Sequence, residues 1–507
     1  MQKQKNIKIV SRGSSLAKIQ AKEVGNALIS VYPDLSIDYH TSNAVADIDL
    51  KMDITKSENI GVFTRDISNK VIDGDFDIAI HSWKDLPVDP SPDTEIIGTL
   101  KRGDVRDIMI VKKDTAILDY KKNIKILTSS PRRKYNIKNI LSDLLPIKTD
   151  SIGFSDIRGN IETRLNKFIS IDADIILMAK VAIDRLMRSG DQNTINAVKK
   201  ILNRTKWMIL PLSIFPTAPG QGAIAIEAKK NSLDLSYLLK PINHFGTFED
   251  VKKEKSILSQ YGGGCHQKIG VSIWNARHLK MYSLIGETED GDPLRTMGQL
   301  DKKPYDMIKD ISSDDIYPNE NDNNMFVRKS IVNEEIKTLK KSFIFISRKN
   351  VLDSCSNIDK SNIFWTSGVK TWKYAARKGY WINGSSDSLG EQNGVEIDHL
   401  ISWKMKKYKL SHTNSSSKFF RILPTYQLEF DEDKIKNLKL DERSDFFWMS
   451  PLQYEKAVEF FPEISNGNHS CGFGRTYEYL KTNLPNSKKI NCYFSYKHWL
   501  NDQKVKQ

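Results

Sequence analysis

Along the first half of the chain, short apolar runs alternate with stretches whose apolar residues recur every three or four positions, the signature of strands followed by helices in an α/β fold. Residues 7–10 (IKIV) predict a strand. Ser14 or Ser15 then caps a helix on which Val24, Ala27, Leu28 and Val31 share a face, and Pro33 closes it. Further strand-like runs stand at 76–80, 124–127, 175–178 and 223–226. The stretch 311–324 (ISSDDIYPNENDNN) has no periodicity and reads as a loop or linker. From about Lys340 the pattern shifts to aromatic-rich pieces such as FWTSGVKTWKYAARKGYW and SDFFWMSPLQYEKAVEFF, which predict a separate unit.

In open α/β sheets, ligands gather beyond the carboxyl ends of the strands, where loops and helix starts present side chains and free N–H groups. The chemically interesting residues fall in those places. His81, Ser82, Trp83, Lys84, Asp85 and Leu86 follow the run at 76–80. Thr128, Ser129 and Ser130 follow the run at 124–127, and Ser130 with Pro131 forms an N-cap and first-turn pair that sets Arg132 and Arg133 at a helix start. Arg12 after the first strand, and Arg158 and Arg164 in FSDIRGNIETRLNKF, complete a group of five arginines. A single surface arginine carries little message. A cluster suits a ligand bearing many carboxylates, because guanidinium groups grip carboxylates bidentately and keep their charge.

Asp85 offers a carboxylate beside the Lys84 cation, able to stabilise a developing positive charge or relay a proton. The GGGC run at 262–265 puts the Cys265 thiol at the tip of a flexible loop, accessible as a covalent attachment point. TAPGQGAIAIEAK leads from its glycines into a strand instead of a helix, which disfavours a dinucleotide-binding fold.

Composition narrows the classes. A length of 507 residues predicts several domains, and 39% hydrophobic with 28% charged residues is the balance of a folded soluble chain. The net charge of +14 points to anionic ligands. No zinc-finger spacing, aromatic-basic RNA signature or basic zipper helix accompanies it, so nucleic acid is not the expected partner. Four cysteines (Cys265, Cys355, Cys471, Cys492) at irregular spacing exclude a disulfide scaffold and a paired-cysteine zinc site, and no metal is expected. MQKQKNIKIVSRGSS lacks the apolar core of a secretory signal, and no apolar run is long enough to span a bilayer, so the expectation is a cytoplasmic protein off the membrane.

From about Ile7 to about Val271, seven segments in order resemble the porphobilinogen deaminase family: SRGSSLA after the first strand, GVFTRD (61–66), HSWKDLP (81–87), TSSPRRK (128–134), IRGNIETRL (157–165), PGQGAIAIE (219–227) and GGGC (262–265). The resemblance implies two domains like type II periplasmic binding proteins, at 1–103 with 206–222 and at 104–205. It adds a small α/β domain at 223–325 carrying the cysteine, with the active site between the first two. It implies a monomer with a dipyrromethane cofactor in thioether linkage to Cys265, on which four porphobilinogen units are added with loss of ammonia before water releases hydroxymethylbilane. By the same resemblance Cys265, Lys84, Asp85, Ser129, Arg132, Arg133 and Arg158 serve the cofactor. Arg12, Ser14, Phe63, Arg164 and Arg185 serve the substrate, and Ser130 assists. Asp85 holds pyrrole N–H groups and stabilises the cation left as ammonia departs, and Phe63 stacks on a pyrrole ring. The loop KSENIGVF departs from the family pattern, with Ile60 where a lysine is usual and Lys56 as the candidate replacement.

Residues 340–507 resemble uroporphyrinogen-III synthase more loosely, through a strand, Ser-Pro turn and Gly-x-x-x-Thr helix start at Ser450, Pro451, Gly472 and Thr476, with Thr366, Ser367 and Gly368 in the same unit. Hydroxyls and N–H groups at such turns bind carboxylates. This implies a C-terminal α/β module that cyclises hydroxymethylbilane, where fusion raises the effective concentration of the intermediate. Two other readings stand beside it: a monofunctional deaminase with a structural extension, and a non-catalytic binder of small anions, against which a thiol on a glycine hinge speaks.

Overall fold

The computed structural model describes residues 6–42, 64–88, 91–262, 267–276, 279–300, 312–319, 322, 324–355, 357–387, 391, 395–486, 488–493 and 495–503. Strand β1 (Asn6–Arg12) buries Ile7, Ile9 and Val10 and exposes Asn6 and Lys8. Helix α1 (Ser15–Val31) starts on Ser14, whose hydroxyl accepts from Ala17 N at 3.3 Å. Its buried stripe runs Ala17, Ala21, Val24, Leu28, the four-three-four spacing of a helix face. Ala27 is half-buried and Val31 is exposed, so that part of the expected face lies off the core.

Three more strands, β2 (Ser36–Ser42), β3 (Ile78–Ser82) and β4 (Thr94–Gly98), build the first sheet before the chain leaves it. A second sheet follows from β5 (Asp107–Lys112), β6 (Asn123–Leu127), β7 (Ser151–Ser155), β8 (Ile175–Ala179) and β9 (Thr205–Ile209), with helices α2 (Pro131–Lys138), α3 (Ile161–Ser170) and α4 (Lys180–Met187) between strands. The chain then returns to the first sheet as β10 (Ile224–Lys229). The orders are β2-β1-β3-β10-β4 and β7-β6-β8-β5-β9, one plan used twice, each with one antiparallel strand inserted among parallel ones.

This topology corrects the expected boundaries. The strand at 205–209 belongs to the second sheet, and the strand at 224–229 to the first instead of the cysteine domain. The reason is visible in β10, where Ile224, Ala225, Ile226 and Ala228 are buried on both faces, as a central strand requires. Two segments therefore connect the bodies, 99–106 outbound and 210–223 on return. Helix α5 (Phe245–Ser259) next packs on an antiparallel sheet of β11 (Gly270–Ala276), β12 (Leu279–Glu287) and β13 (Pro293–Gln299).

The C-terminal unit begins earlier than Lys340. Within the expected linker, β14 (Ile316–Tyr317) pairs with a strand some 130 residues on, and Asp322 takes both guanidinium nitrogens of Arg443 at 2.5 and 2.7 Å. Apolar Ile316 and Tyr317 inside a polar run are what periodicity over so short a strand fails to show. A six-stranded sheet follows from β15 (Phe326–Ser330), β16 (Phe343–Ile346), β17 (Ile363–Thr366), β18 (Ile382–Ser385), β19 (Lys407–His412) and β20 (Arg421–Phe430), with helix α6 (Val369–Arg377) after β17. The chain then returns beside β14 in β21 (Asp445–Trp448), helix α7 (Pro451–Phe460), β22 (Asn468–Gly472), helix α8 (Arg475–Asn483) and β23 (Ile490–Tyr493). The result is two lobes joined by the β15–β20 antiparallel ladder and the segment after it.

These lobes are not appended at arm's length. The six-stranded lobe shares its core with the second sheet: Met109, Ile124, Leu144 and Met208 cluster with Ile344, Trp372, Ala375 and Trp381. Trp372 Nε1 donates to Leu144 O at 3.0 Å, and Trp381 Nε1 and Asn383 Nδ2 both donate to Trp207 O, at 3.1 and 3.0 Å. The other lobe packs on the antiparallel sheet, with Ala276 and Met281 joining Tyr317, Phe446 and Trp448. Replacing Trp372, which is fully buried, with alanine removes a large shared side chain and orphans a carbonyl. The expected loss is about 3–5 kcal/mol, read by denaturant unfolding, with the two-sheet body and the C-terminal unit losing structure together; a shift confined to one of them contradicts the shared core.

Candidate active site between the two sheets

The site starts from a buried carboxylate. Asp107, fully buried at the head of β5, accepts from Arg132 Nη2 at 2.8 Å, Arg133 Nη2 at 2.6 Å and Gln221 Nε2 at 3.1 Å. Ser130 caps α2, accepting from Arg133 N at 3.4 Å with Pro131 at the first helical position, so both arginines sit in the first turn as the sequence predicts. Arg132 Nη1 also donates to Pro216 O at 2.8 Å, and its guanidinium lies over the Phe215 ring at 5.5 Å. Burial alone would push the Asp107 carboxyl up, but Arg132 and Arg133 hold it well below the usual carboxylate range. Arg132 is pushed down by burial and by Arg133.

Lys84 and Asp85 occupy a short turn after β3 on the facing sheet, pinned by Trp83 N donating to Ala223 O at 3.0 Å. Gly220 makes the close approach possible: it holds φ +77°, and a β-carbon there would come within 3.1 Å of Lys84 N. Burial lowers the Lys84 ammonium, Arg133 and Arg132 lower it further, and Asp85 and Asp107 oppose them. Arg164, pushed down by burial, feels Arg133, Asp85 and Arg12 in turn. The structure therefore brings Arg12, Lys84, Asp85, Arg132, Arg133 and Arg164 into one electrostatic neighbourhood, with the Asp85 side exposed.

The other expected residues divide. Ser129 Oγ donates to Ile157 O and accepts from Ile157 N, both at 2.9 Å, which ties the segment bearing Arg158 to the start of α2. Arg164 Nε donates to Gly159 O at 2.7 Å. Ser14 acts as a helix cap. Arg185 lies where α1 meets α4, bonded to Glu23 at 3.2 Å and to Gly222 O at 3.3 Å, a contact between the two bodies. His81 is structural, 2.8 Å from buried Glu227. Phe63, Ile60, Lys56 and Cys265 lie outside the described residues. Sequence reasoning missed Asp107 and Gln221. The available signal was an aspartate opening the apolar run DIMIV, where a buried charge needs a cationic partner.

A second cleft, of about 940 Å³, lies between the two C-terminal lobes and is lined by the expected Ser367, Ser450 and Thr476. Ser450 caps α7, accepting from Gln453 N at 3.3 Å, and Thr476 sits in the first turn of α8. Arg328, Arg348, Lys409 and Arg475 also line it. Burial lowers His412 there, and Lys409, Arg348 and Arg475 add to the effect. Thr366 instead points inward, bonded to Gly368 O at 3.2 Å.

The family described as porphobilinogen deaminase, dipyromethane cofactor binding domain, matches residues 7–236. A porphobilinogen deaminase of Syntrophomonas wolfei is 34% identical over 261 residues, covering 52% of this chain and 78% of its own length. The chain belongs to the porphobilinogen deaminase family. A probable porphobilinogen deaminase of Thermoplasma volcanium is 36% identical over 265 residues, covering 52% of this chain and 80% of its own, and one of Saccharolobus islandicus (Yellowstone) is 29% identical over 328, covering 62% and 99%. Among solved structures, a periplasmic sulfonate-binding protein SsuA of Methylobacillus flagellatus covers 50% of this chain and 69% of its own at 10% identity, with a TM-score of 0.27, a likeness too slight to define a fold. Among the described residues, no helix is long and apolar enough to cross a membrane, and no cluster suited to a metal stands out.

The cofactor of this family is a dipyrromethane, and the cationic cluster fits such a polycarboxylate group. The Nε atoms of Arg132 and Arg133 are buried without a hydrogen-bond partner among the described residues. Asp107→Ala should leave both arginines facing each other unpaired and lose about 3–5 kcal/mol of stability. It should also lower the cofactor-loaded fraction seen by intact mass, whereas a stable, fully loaded variant would contradict the role given to Asp107.

Proposed function

We propose that Cys265 carries the cofactor and that the cationic cluster between the two sheets grips its acetate and propionate groups and those of porphobilinogen. The reading is supported most by one observation: Gly270, five residues after Cys265, abuts Arg132, since a β-carbon on Gly270 would come within 3.1 Å of Arg132 Cδ. Five residues span at most about 18 Å, so the thiol has the reach to enter the cluster. When bound, the cofactor supplies a nucleophilic pyrrole carbon that extends the chain.

The protein's own groups do the rest. Arg132, Arg133, Arg158 and Lys84 neutralise cofactor carboxylates, and Arg12, Arg164 and Arg185 with Ser14 serve the incoming pyrrole. Asp85, exposed at the mouth of the turn, accepts pyrrole N–H protons in hydrogen bonds and stabilises the positive charge that develops on the substrate as ammonia leaves. We read the two repeated sheets as binding-protein-like domains on their shared strand order, and Phe63 as a stacking residue.

For the second cleft we propose a uroporphyrinogen-III synthase activity acting on hydroxymethylbilane. Its volume suits a large ligand, and Arg328, Arg348 and Arg475 with the hydroxyls of Ser367, Ser450 and Thr476 suit propionates, while Lys409 is paired with Glu391 and the carboxylates Asp322, Glu455 and Glu478 also line the cleft. Both sites on one chain keep the released intermediate near its next enzyme.

Intact mass should show a dipyrromethane-sized adduct that Cys265→Ser abolishes. Asp85→Asn should keep the adduct and lose about 10²- to 10⁴-fold in turnover; near-normal turnover of Asp85→Asn, or an active protein without adduct, contradicts the mechanism. Porphyrin analysis of the full chain should give the type III isomer, and Arg475→Ala should shift the product to type I at an unchanged rate of porphobilinogen consumption. Only type I from a fully active preparation contradicts the synthase reading.

A further inference from the structure

The segments 99–106 and 210–223 carry every covalent connection between the two sheets that face each other across the active site. They are laced together. Arg102 Nε donates to Gln221 O at 2.8 Å, Gln221 Nε2 to Val105 O at 2.6 Å, and Gly103 N to Gly222 O at 3.4 Å. They also end in the cationic cluster, since Asp107 directly follows the first and Pro216, which accepts from Arg132, belongs to the second. Any change in the angle between the sheets passes through them.

The C-terminal unit holds both. Asp387, buried just after β18, accepts from Ser213 N at 2.9 Å and from the Ser213 hydroxyl, three residues before Pro216. Asp387 takes a left-handed backbone, φ 55°, which favours glycine and persists where surrounding contacts fix it. On the outbound segment the grip runs through charges. His399 Nε2 lies 2.7 Å from Asp184 Oδ1, Lys180 Nζ bonds Asp184 Oδ2 at 2.7 Å and reaches Asp104 Oδ2 at 3.4 Å, and Arg106 forks onto Asp104 at 2.9 and 2.7 Å. The Arg106 guanidinium then lies 5.6 Å over Trp365, back in the C-terminal unit. Lys180 is fully buried, so the network works in a medium where its charges are poorly screened.

We propose that Asp387 and His399 of the C-terminal unit are positioning residues for the deaminase reaction, fixing both inter-sheet segments so that Asp85 on one sheet faces Arg132, Arg133 and Arg164 on the other. The C-terminal unit then serves the first reaction directly, whether or not it catalyses a second. This inference rests on the deaminase activity and is independent of the synthase reading.

The test uses the full chain. Turnover is followed by ammonia release, and the distribution of enzyme species bearing one to four added units by intact mass. Ser213→Ala removes one hydroxyl from the grip and is the mildest variant; Asp387→Ala removes the acceptor, and the double variant asks whether the two act as one. A misplacement near 1 Å at a reaction centre lowers rates by up to about 10²-fold, and the expected result for Asp387→Ala is kcat down about tenfold with KM little changed. Partly extended species should accumulate, cofactor loading should stay complete, Asp387→Asn should restore part of the rate, and the double variant should be no slower than Asp387→Ala. His399→Ala should act in the same direction. Lys373→Ala, which cuts a 2.6 Å contact to Asp143 on the same inter-unit face but away from both segments, should leave turnover unchanged. Wild-type kcat in both Asp387→Ala and His399→Ala overturns the proposal. So does an equal loss in Lys373→Ala, which would mean that docking in general, and not the grip on these segments, governs the rate. Because ammonia release is read separately from the adduct and from the porphyrin isomer, failure here is distinct from failure of the Cys265 or synthase readings.

Discussion

Burying the Asp107 carboxylate away from water costs several kcal/mol, which two guanidinium groups and one amide offset. That arrangement is stable only with all partners in place, and it has two consequences. It holds two like-charged arginines side by side, a geometry they would otherwise resist, and among the described residues their buried Nε–H groups have no hydrogen-bond partner. Because Asp107 opens β5 and Arg132 also bonds the return segment at Pro216, the same charge cluster is fastened to the junction between the two sheets.

From that junction outward the molecule is more continuous than a fusion of two enzymes suggests. One C-terminal lobe finishes the core of the second sheet, and the other covers the antiparallel sheet that follows helix α5. Shared cores of this kind behave as one cooperative body, unlike domains on a flexible linker. The cleft between the lobes therefore has walls that are each anchored to a different part of the deaminase.

Much of this was legible in the residues. The strand runs at 7–10, 124–127 and 175–178, the Ser14 cap and the Ser130–Pro131 helix start carry local signals that need no tertiary context, and all appear as expected. The turns at Ser450 and Thr476 were readable for the same reason. What did not show was set by long-range pairing: β10 joins the first sheet across more than a hundred residues, and β14 is two residues long inside a polar stretch. The site divides in the same way. Arginines and Lys84 announce themselves by charge at strand ends, while Asp107, Gln221 and the Asp387 contact to Ser213 exist only once distant segments meet.

A crystal structure of the full-length, cofactor-loaded protein tests the central claim most directly. The account predicts continuous density from the Cys265 sulfur into the space between the sheets, with carboxylates within hydrogen-bonding distance of Arg132 and Arg133 and a pyrrole N–H facing Asp85. Pyrrole density lodged elsewhere, with no carboxylate near the two arginines, would contradict it.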